Sequence, residues 1–446
     1  MNTRNIAFKI LLSVEKDGAY SALTLNNSIK ENKLNHLDSS FVSALVYGVL
    51  ERKITLDYII KQYSKIPLKK IDVKTKLILR LGILQLLFMD KVPDSAAVNE
   101  SVNLAKKNKL YKSSGFINGI LRSITRAEVK YKLPDEKKDK LYYLSVKYSC
   151  PRDIVRLWIE SYGEENAVGI LKSLSGRPQL TARVNTLKTN VDSLIDELEK
   201  ENVKSEKSPL IDNALLLTDT GSIENLKAYR EGKLYIQDCA SQICIKALSP
   251  EPNDIMLDVC SAPGGKSFTS AQYMENSGEI HAFDIYEHKL KLINDTASRL
   301  GITNIKTAIR NADTDTSELP LADKVLCDVP CSGLGIILRK PEIRYKDDLF
   351  NPDLPKLQYR ILCNTARFVK AGGTLVYSTC TLNPAENQKN AEKFLREHPD
   401  FEPLALNLNV KRLIDEPEHM LTLFPQANHT DGFFISAFKK STKEPI

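Results

Sequence analysis

Over residues 1 to about 130 the apolar positions recur every three to four residues. In SSFVSALVYGVLERKITLDYIIKQY, Phe41, Leu45, Val46, Val49 and Leu50 share one helical face. TKLILRLGILQLLFMD is apolar nearly all round, which predicts the buried central helix of a bundle. DSAAVNESVNLAKK begins with Asp94, a candidate N-cap. The opening stretch MNTRNIAFKILLSVEKDGAY breaks its apolar residues with charges and lacks a small-residue cleavage site, so it reads as an amphipathic helix rather than a signal peptide. No segment here alternates like a strand. A compact all-helical domain is expected over residues 1–130.

The pattern then changes. Residues 131–150, YKLPDEKKDKLYYLSVKYSC, carry a proline and mixed charge and read as a linker. PRDIVRLWIESYG has the start and stop signals of a helix, Pro151 and Gly163. QLTARVNTLKT alternates like a strand, NVDSLIDELEKENV is amphipathic, and ALLLTD and KLYIQD are short strands. With the linker, these make a small α+β module ending near residue 235. From 236 to 446 strand and helix alternate, with strands expected at 255–260, 279–284, 305–309, 323–328 and 373–379. GFFISAFKK should close the sheet as part of an antiparallel hairpin. Such alternation builds a parallel sheet covered by helices, whose ligands bind at the carboxyl ends of the strands.

Composition sharpens this picture in two places. A chain of 446 residues is too long for one core, and no run of about 18 apolar residues occurs to span a membrane. Eight cysteines without a compact framework of spacings fit reduced thiols in a cytoplasmic protein. The net charge of +7 is uneven: residues 1–130 hold 22 Lys and Arg against 11 Asp and Glu. That excess points to a polyanion partner, nucleic acid first, over a merely solvated lysine-rich surface.

Every chemically suggestive motif falls at a strand end. LDVCSAPGGKS joins the first strand of the C-terminal part to a helix through small residues and two glycines, which let backbone N–H groups approach a ligand. The dinucleotide pattern G-x-G-x-x-G is absent. The nucleoside-triphosphate pattern G-x-x-x-x-G-K-S is missed only because Cys260 stands at its first glycine, so an NTPase remains an alternative. S-adenosylmethionine fits better. Asp284, ending the second strand, can take both ribose hydroxyls, and Asp313, after the third, can meet the adenine amino group.

Asp328-Val329-Pro330-Cys331 follows the fourth strand, and Ser378-Thr379-Cys380 ends the fifth. A thiol where amine methyltransferases place an aromatic residue argues against amine chemistry. It suits C5 of cytosine, a poor nucleophile until a thiolate adds to C6. Two neighbouring thiols fit a nucleophile and a helper, and the residues alone do not say which is which. Asp328 can hold the N3/N4 edge of the ring.

DVCSAPGGKS, DVPCSGLG, STCTLNPAENQ, RVNTLK and IQDCASQ resemble the RNA cytosine-C5 methyltransferase family. HLDSSFVSALVYGVLERKITLDYII resembles the RNA-binding domain of the antitermination factor NusB. Together they are similar to the bacterial small-subunit ribosomal RNA cytosine-C5 methyltransferases of the Sun/Fmu type. The resemblance implies an all-α NusB-like bundle, a small RRM-like α+β module and a Rossmann-like class I methyltransferase domain. It also implies S-adenosyl-L-methionine as methyl donor and 16S ribosomal RNA, free or in an early particle, as partner of a monomer. Cys380 would be the nucleophile and Cys331 would help release the product. Cys260, Ser261, Ala262, Pro263, Gly264, Gly265 and Lys266 would hold the donor with Asp284, Asp313 and Asp328, and Lys266 would reach the catalytic pocket. Ser261 departs mildly from the small residue commoner there. A non-catalytic RNA-binding factor is the reading from another class, and the two intact cysteines oppose it. Neither the cysteines nor the six histidines show metal-ligand spacing, so no metal is expected.

Overall fold

The computed structural model describes residues 2–442. By chain contacts they fall into two units: 1–176 with 337–347, and 177–336 with 348–446.

The first unit is helical. Its elements are α1 (Thr3–Asp17), α2 (Ser21–Glu31), α3 (His36–Tyr63), α4 (Val73–Phe88), α5 (Asp94–Lys107), α6 (Tyr111–Arg126), α7 (Lys140–Tyr148) and α8 (Arg152–Lys172). α4 is the central helix its composition predicts, with every residue from Leu77 to Gln85 buried. Two of its buried polar residues are matched: Arg80 donates to both Asp57 oxygens at 2.7 and 2.8 Å, and Gln85 Oε1 accepts from Arg4 Nε at 2.7 Å.

Three local expectations change. Asp94 is not the cap of α5 but its first residue; Pro93 holds the cap position, and the carboxylate sits in the first turn, where the helix dipole favours it. The stretch read as a linker contains α7, docked on α3 through Thr55 Oγ1 to Val146 O at 2.5 Å and Ile54 N to Ser149 Oγ at 2.9 Å. Gly163 breaks α8 at φ 77°, but helical structure resumes to Lys172 rather than stopping. Residues 337–347, which follow the Cys331 loop in sequence, also belong here. Arg344 donates to Ser149 O and Leu174 O, and Glu342 accepts from the backbone and hydroxyl of Ser21.

The second unit begins with β1 (Leu180–Val184), α9 (Val191–Lys200), β2 (Lys204–Lys207), β3 (Ala214–Thr218), α10 (Lys227–Arg230) and β4 (Leu234–Ile236). The four strands pair antiparallel in the order β2-β3-β1-β4. There follow α11 (Cys239–Leu248), β5 (Ile255–Asp258), α12 (Gly265–Tyr273), β6 (Glu279–Asp284), α13 (Glu287–Leu300), β7 (Ile305–Ile309), β8 (Ala322–Asp328), α14 (Asp353–Ala366), β9 (Val369–Thr379), α15 (Gln388–Glu397), β10 (Phe401–Pro403), β11 (Met420–Leu423), α16 (Pro425–Asn428) and β12 (Phe433–Lys440).

These strands form a mixed sheet in the order β10-β12-β9-β8-β5-β6-β7, with β11 on β12. The run β9-β8-β5-β6-β7 is parallel, and β12 pairs antiparallel with both β9 and β11. Alternate residues serve opposite faces. Met256, Leu326 and Val376 enter one apolar core, while Leu257, Val325, Leu375 and Tyr377 enter the other. Burial on both faces explains why these strands read as continuous apolar runs.

One close approach fixes the loop after β8. Gly335 donates its N–H to Cys380 O at 3.0 Å and its carbonyl accepts from Gly432 N at 2.9 Å. A Cβ at Gly335 would lie 1.8 Å from the Gly432 carbonyl oxygen. Gly335→Ala is therefore expected to lower stability by about 1–3 kcal/mol or more, read as a fall in thermal midpoint. Gly115→Ala, inside α6 with no atom within 4 Å of the added methyl, should leave the midpoint unchanged or raise it.

Candidate active site

β5, β6, β8 and β9 run parallel, so their carboxyl ends present their loops along one edge. Asp258 lies opposite Leu326 and Asp328 opposite Ser378. The two loops of interest are therefore neighbours by register, and their thiols meet: Cys331 Sγ is 3.0 Å from Cys380 Sγ. Both are only partly buried.

The Cys331 thiol is held well above its usual range, first by its contact with Cys380, then by burial and the nearby charge of Glu386. The polar loop after β9 is braced from within. Thr379 Oγ1 donates to Asn387 Oδ1 at 2.5 Å, Asn387 Nδ2 to Thr381 O at 2.8 Å, and Tyr377 OH to Glu386 O at 2.6 Å. Ser332 and Thr381 hydroxyls share a hydrogen bond of 2.7 Å across the two loops. The sequence pattern gives no hint of these braces, since each partner is an ordinary strand or loop residue until the chain closes.

Beside the thiols, Lys266 Nζ lies 2.7 Å from Asp328 Oδ2, and Ser378 Oγ donates to Asp328 Oδ1 at 2.7 Å. Burial disfavours the Lys266 ammonium, but Asp328 outweighs it and raises the pKa, so the lysine is a cation rather than a base. It also stands 5.2 Å over the Phe433 ring.

The 260–265 segment turns tightly from β5 into α12. Ser261 donates to Phe283 O at 2.9 Å, and Gly264, at φ 101°, is the N-cap of α12; a Cβ there would meet the Phe268 ring at 2.4 Å. Cys260 and Ala262 lie at the margins of the two apolar cores, and burial raises the Cys260 thiol. Asp284, almost fully buried, accepts from Tyr286 N at 3.1 Å and pairs with Lys289 at 3.4 Å. Asp313, which follows β7, is gripped by Arg360 through both oxygens, at 2.7 and 3.0 Å.

Asp258 is a residue that motif reading passed over, although it stands inside LDVCSAPGGKS. It is wholly buried, and its Oδ2 accepts from Ser267 Oγ at 2.6 Å. Its Oδ1 is left without a well-formed hydrogen bond, with the Cys260 backbone N–H in electrostatic reach. Burial pushes its pKa up to about 7, against the Ser267 hydrogen bond. An orphaned acceptor beside a tight loop, with Asp284 at the next strand end, fits a ligand bearing cationic or N–H and O–H donor groups.

In the unfolded chain Asp258 ionises in the ordinary carboxylate range near pH 4, whereas in the folded protein it holds its proton until about 7. Folding thus takes up a proton between these limits, and this residue's contribution falls by up to about 1.4 kcal/mol per pH unit as pH rises from 4 to 7. Asp258→Asn should flatten the stability profile of the ligand-free protein over pH 5–7, measured by denaturant unfolding at each pH.

Comparison with known proteins agrees with this layout. The profile of the 16S rRNA methyltransferase RsmB/F family matches residues 245–439, the NusB family 1–126, and the RsmF/B-like ferredoxin-like domain 150–224. A Bacillus subtilis (strain 168) protein named "Probable ribosomal RNA small subunit methyltransferase B" is 37% identical, with 98% of this chain and 99% of that one covered. Ribosomal RNA small subunit methyltransferase B of Escherichia coli (strain UTI89) is 28% identical over 98% of this chain and 99% of its own. The crystal structure of PH0851 superposes with a TM-score of 0.83 at 26% identity, covering 99% of both chains. A methyltransferase homolog from Pyrococcus horikoshii gives 0.60 at 29%, covering 68% of this chain and 99% of that one. With its helical bundle, its small antiparallel module and its mixed sheet all accounted for, the chain belongs to the RsmB/F family of 16S rRNA methyltransferases.

Proposed function

We propose that this enzyme transfers a methyl group from S-adenosyl-L-methionine to C5 of a cytosine in 16S rRNA through a transient bond between Cys380 and C6. The observation that carries the reading is the pair of thiols in contact at 3.0 Å, at the ends of two adjacent parallel strands. Amine or hydroxyl methylation has no use for two thiols. C5 of cytosine needs one as nucleophile and gains from a second.

The donor supplies an electrophilic methyl group on a sulfonium. Residues 260–266 would line it, with Asp284 at the ribose. Asp313 would lie at the adenine edge, each of its oxygens keeping a lone pair besides the one given to Arg360. Asp258 and its unsatisfied oxygen would face the donor's cationic portion.

On the substrate side, the Cys380 thiolate adds to C6 of a base turned out of its stack, and the ring electrons shift to C5. Asp328, fixed by Lys266 and Ser378, would hold the N3/N4 edge by accepting from the N4 amino group, with the Lys266 cation offsetting the negative charge that builds on the ring. Once C5 carries the methyl group, its proton leaves to a base. The S–C6 bond then breaks with its electrons returning to sulfur, and Cys331 assists that release. RNA would also meet the helical unit, where Lys106, Lys107, Lys109, Lys112, Arg122 and Arg126 are exposed on α5, α6 and the turn between them.

RNA carrying 5-fluorocytosine cannot lose a proton from C5. With the methyl donor it should trap a denaturation-resistant complex, seen as a shifted band on a denaturing gel. Cys380→Ala should abolish this band and lower turnover by at least about 10⁴-fold. Cys331→Ala should instead accumulate an adduct with unmodified RNA. If the two variants behave the other way round, the roles are exchanged; if wild-type protein forms no adduct and no 5-methylcytosine, the reading fails.

A further inference from the structure

We propose that Glu386 is a positioning residue of this site: its carboxylate ties the loop carrying Cys331 to the loop carrying Cys380 and makes the two thiols inequivalent. This deepens the cytosine-C5 reading and rests on it for the purpose of the two thiols.

Glu386 is 1% exposed. Its Oε2 accepts from the backbone N–H of Ser332, the residue after Cys331, at 2.9 Å, and from Gln358 Nε2 at 2.8 Å. Its Oε1 accepts from Asn383 Nδ2 at 2.9 Å. The donors come from three places: the loop after β8, the middle of α14, and the loop after β9. Gln358 Nε2 also donates to Pro330 O at 2.9 Å, so the same amide grips the residue before Cys331. The carboxylate and this amide therefore clasp Cys331 from both sides in sequence. Tyr377 OH, bonded to the Glu386 carbonyl, anchors the clasp to β9.

All three donors to the carboxylate are neutral. A buried carboxylate held only by neutral groups carries a desolvation cost that no cation offsets. An apolar residue here would leave three buried donors unpaired, and an amide would set its own NH2 against one of them, so the site calls for an acceptor-only carboxylate. The charge has a target. The titratable groups facing the Cys331 thiol are Cys380 from the end of β9, Tyr377 from within β9, and Glu386 itself. Lys266, the nearby cation, is taken up by Asp328. Glu386 is thus a negative charge set against ionisation of Cys331. A neutral Cys331 leaves an S–H beside the Cys380 sulfur, where a second thiolate would repel the first. The clasp thereby makes two chemically identical side chains unequal.

The experiment compares Glu386→Gln with Glu386→Asp. Thiol alkylation by iodoacetamide, followed site by site with mass spectrometry, needs neither RNA nor donor. In Glu386→Gln the negative charge is gone, and Cys331 should alkylate about tenfold faster at pH 8 and follow a pH profile displaced downward. In Glu386→Asp the charge stays but the reach shortens, so Cys331 should keep the wild-type profile. Both variants should lose about tenfold or more in kcat, with the KM for RNA and the calorimetric affinity for S-adenosylmethionine within about twofold of wild type. An unchanged Cys331 profile in Glu386→Gln, or undiminished turnover in both variants, overturns the proposal. If Glu386→Gln does not fold, Glu386→Asp decides: slow turnover with an unshifted Cys331 supports the clasp, and full turnover refutes it. Should the profiles shift as expected while wild-type enzyme makes no 5-methylcytosine, the cytosine-C5 reading has failed and the electrostatic role of Glu386 has not.

Discussion

The parallel pairing of β8 with β9, with Asp328 opposite Ser378, is the constraint on which the site depends. Residues 331 and 380 are 49 positions apart in the chain, and each sits within three residues of its strand end. Parallel register alone makes their loops neighbours. The flanking pairs then set what the loops can do. β5 beside β8 brings Asp258 and Lys266 to the same edge, and antiparallel β12 beside β9 lets Gly432 close on Gly335. The apolar cores on the two faces hold this register, because a slip of one residue would send Leu326 and Val376 to the wrong side.

Much of this was legible in the sequence because strands buried on both faces are conspicuous. The strands ending at Asp284, Asp328 and Thr379 lie where their apolar runs place them. Other elements were hidden for a physical reason. β2, KSEK, is mostly exposed and carries no apolar alternation, so its pairing with β3 rests on backbone hydrogen bonds that composition does not record. β10 and β11 are short and owe their existence to β12. α7 was concealed by the charged, proline-bearing segment before it; only Leu144, Ser145 and Val146 are buried, and the helix packs on both α3 and α8.

The candidate site shows the same division. Cysteines, glycines and acidic residues at strand ends announce themselves, because their chemistry suits a ligand and their position exposes them. Ser378, Gln358, Asn383 and Asn387 do not. Each is unremarkable alone and acquires meaning only when its partner, 3 to 50 residues away, is brought to hydrogen-bonding distance. Glu386 is the extreme case. A glutamate in a polar loop is ordinarily a solvated charge, and only the fold reveals it as buried and clasped between the two thiol-bearing loops.

Charge explains why the two ends of this site suit different ligands. Asp258, Asp284 and Asp328 converge at the strand ends, opposed by Lys266 and Lys289. The side proposed for the donor thus holds Asp258 and Asp284 against Lys289, a balance that would favour a sulfonium carrying positive charge over the neutral thioether left when its methyl has gone. Asp258 adds a coupling. With a pKa near 7 in the ligand-free protein it is only partly ionised at neutral pH. A bound cation stabilises its carboxylate, so binding must expel part of a proton, and the same linkage makes affinity rise with pH through that range. In the proposed reaction, loss of the methyl would remove the positive charge, allow the proton back and weaken the hold on the spent donor. A buried carboxylate left half-satisfied, costly to the folded chain by itself, would on that reading distinguish the donor from its product.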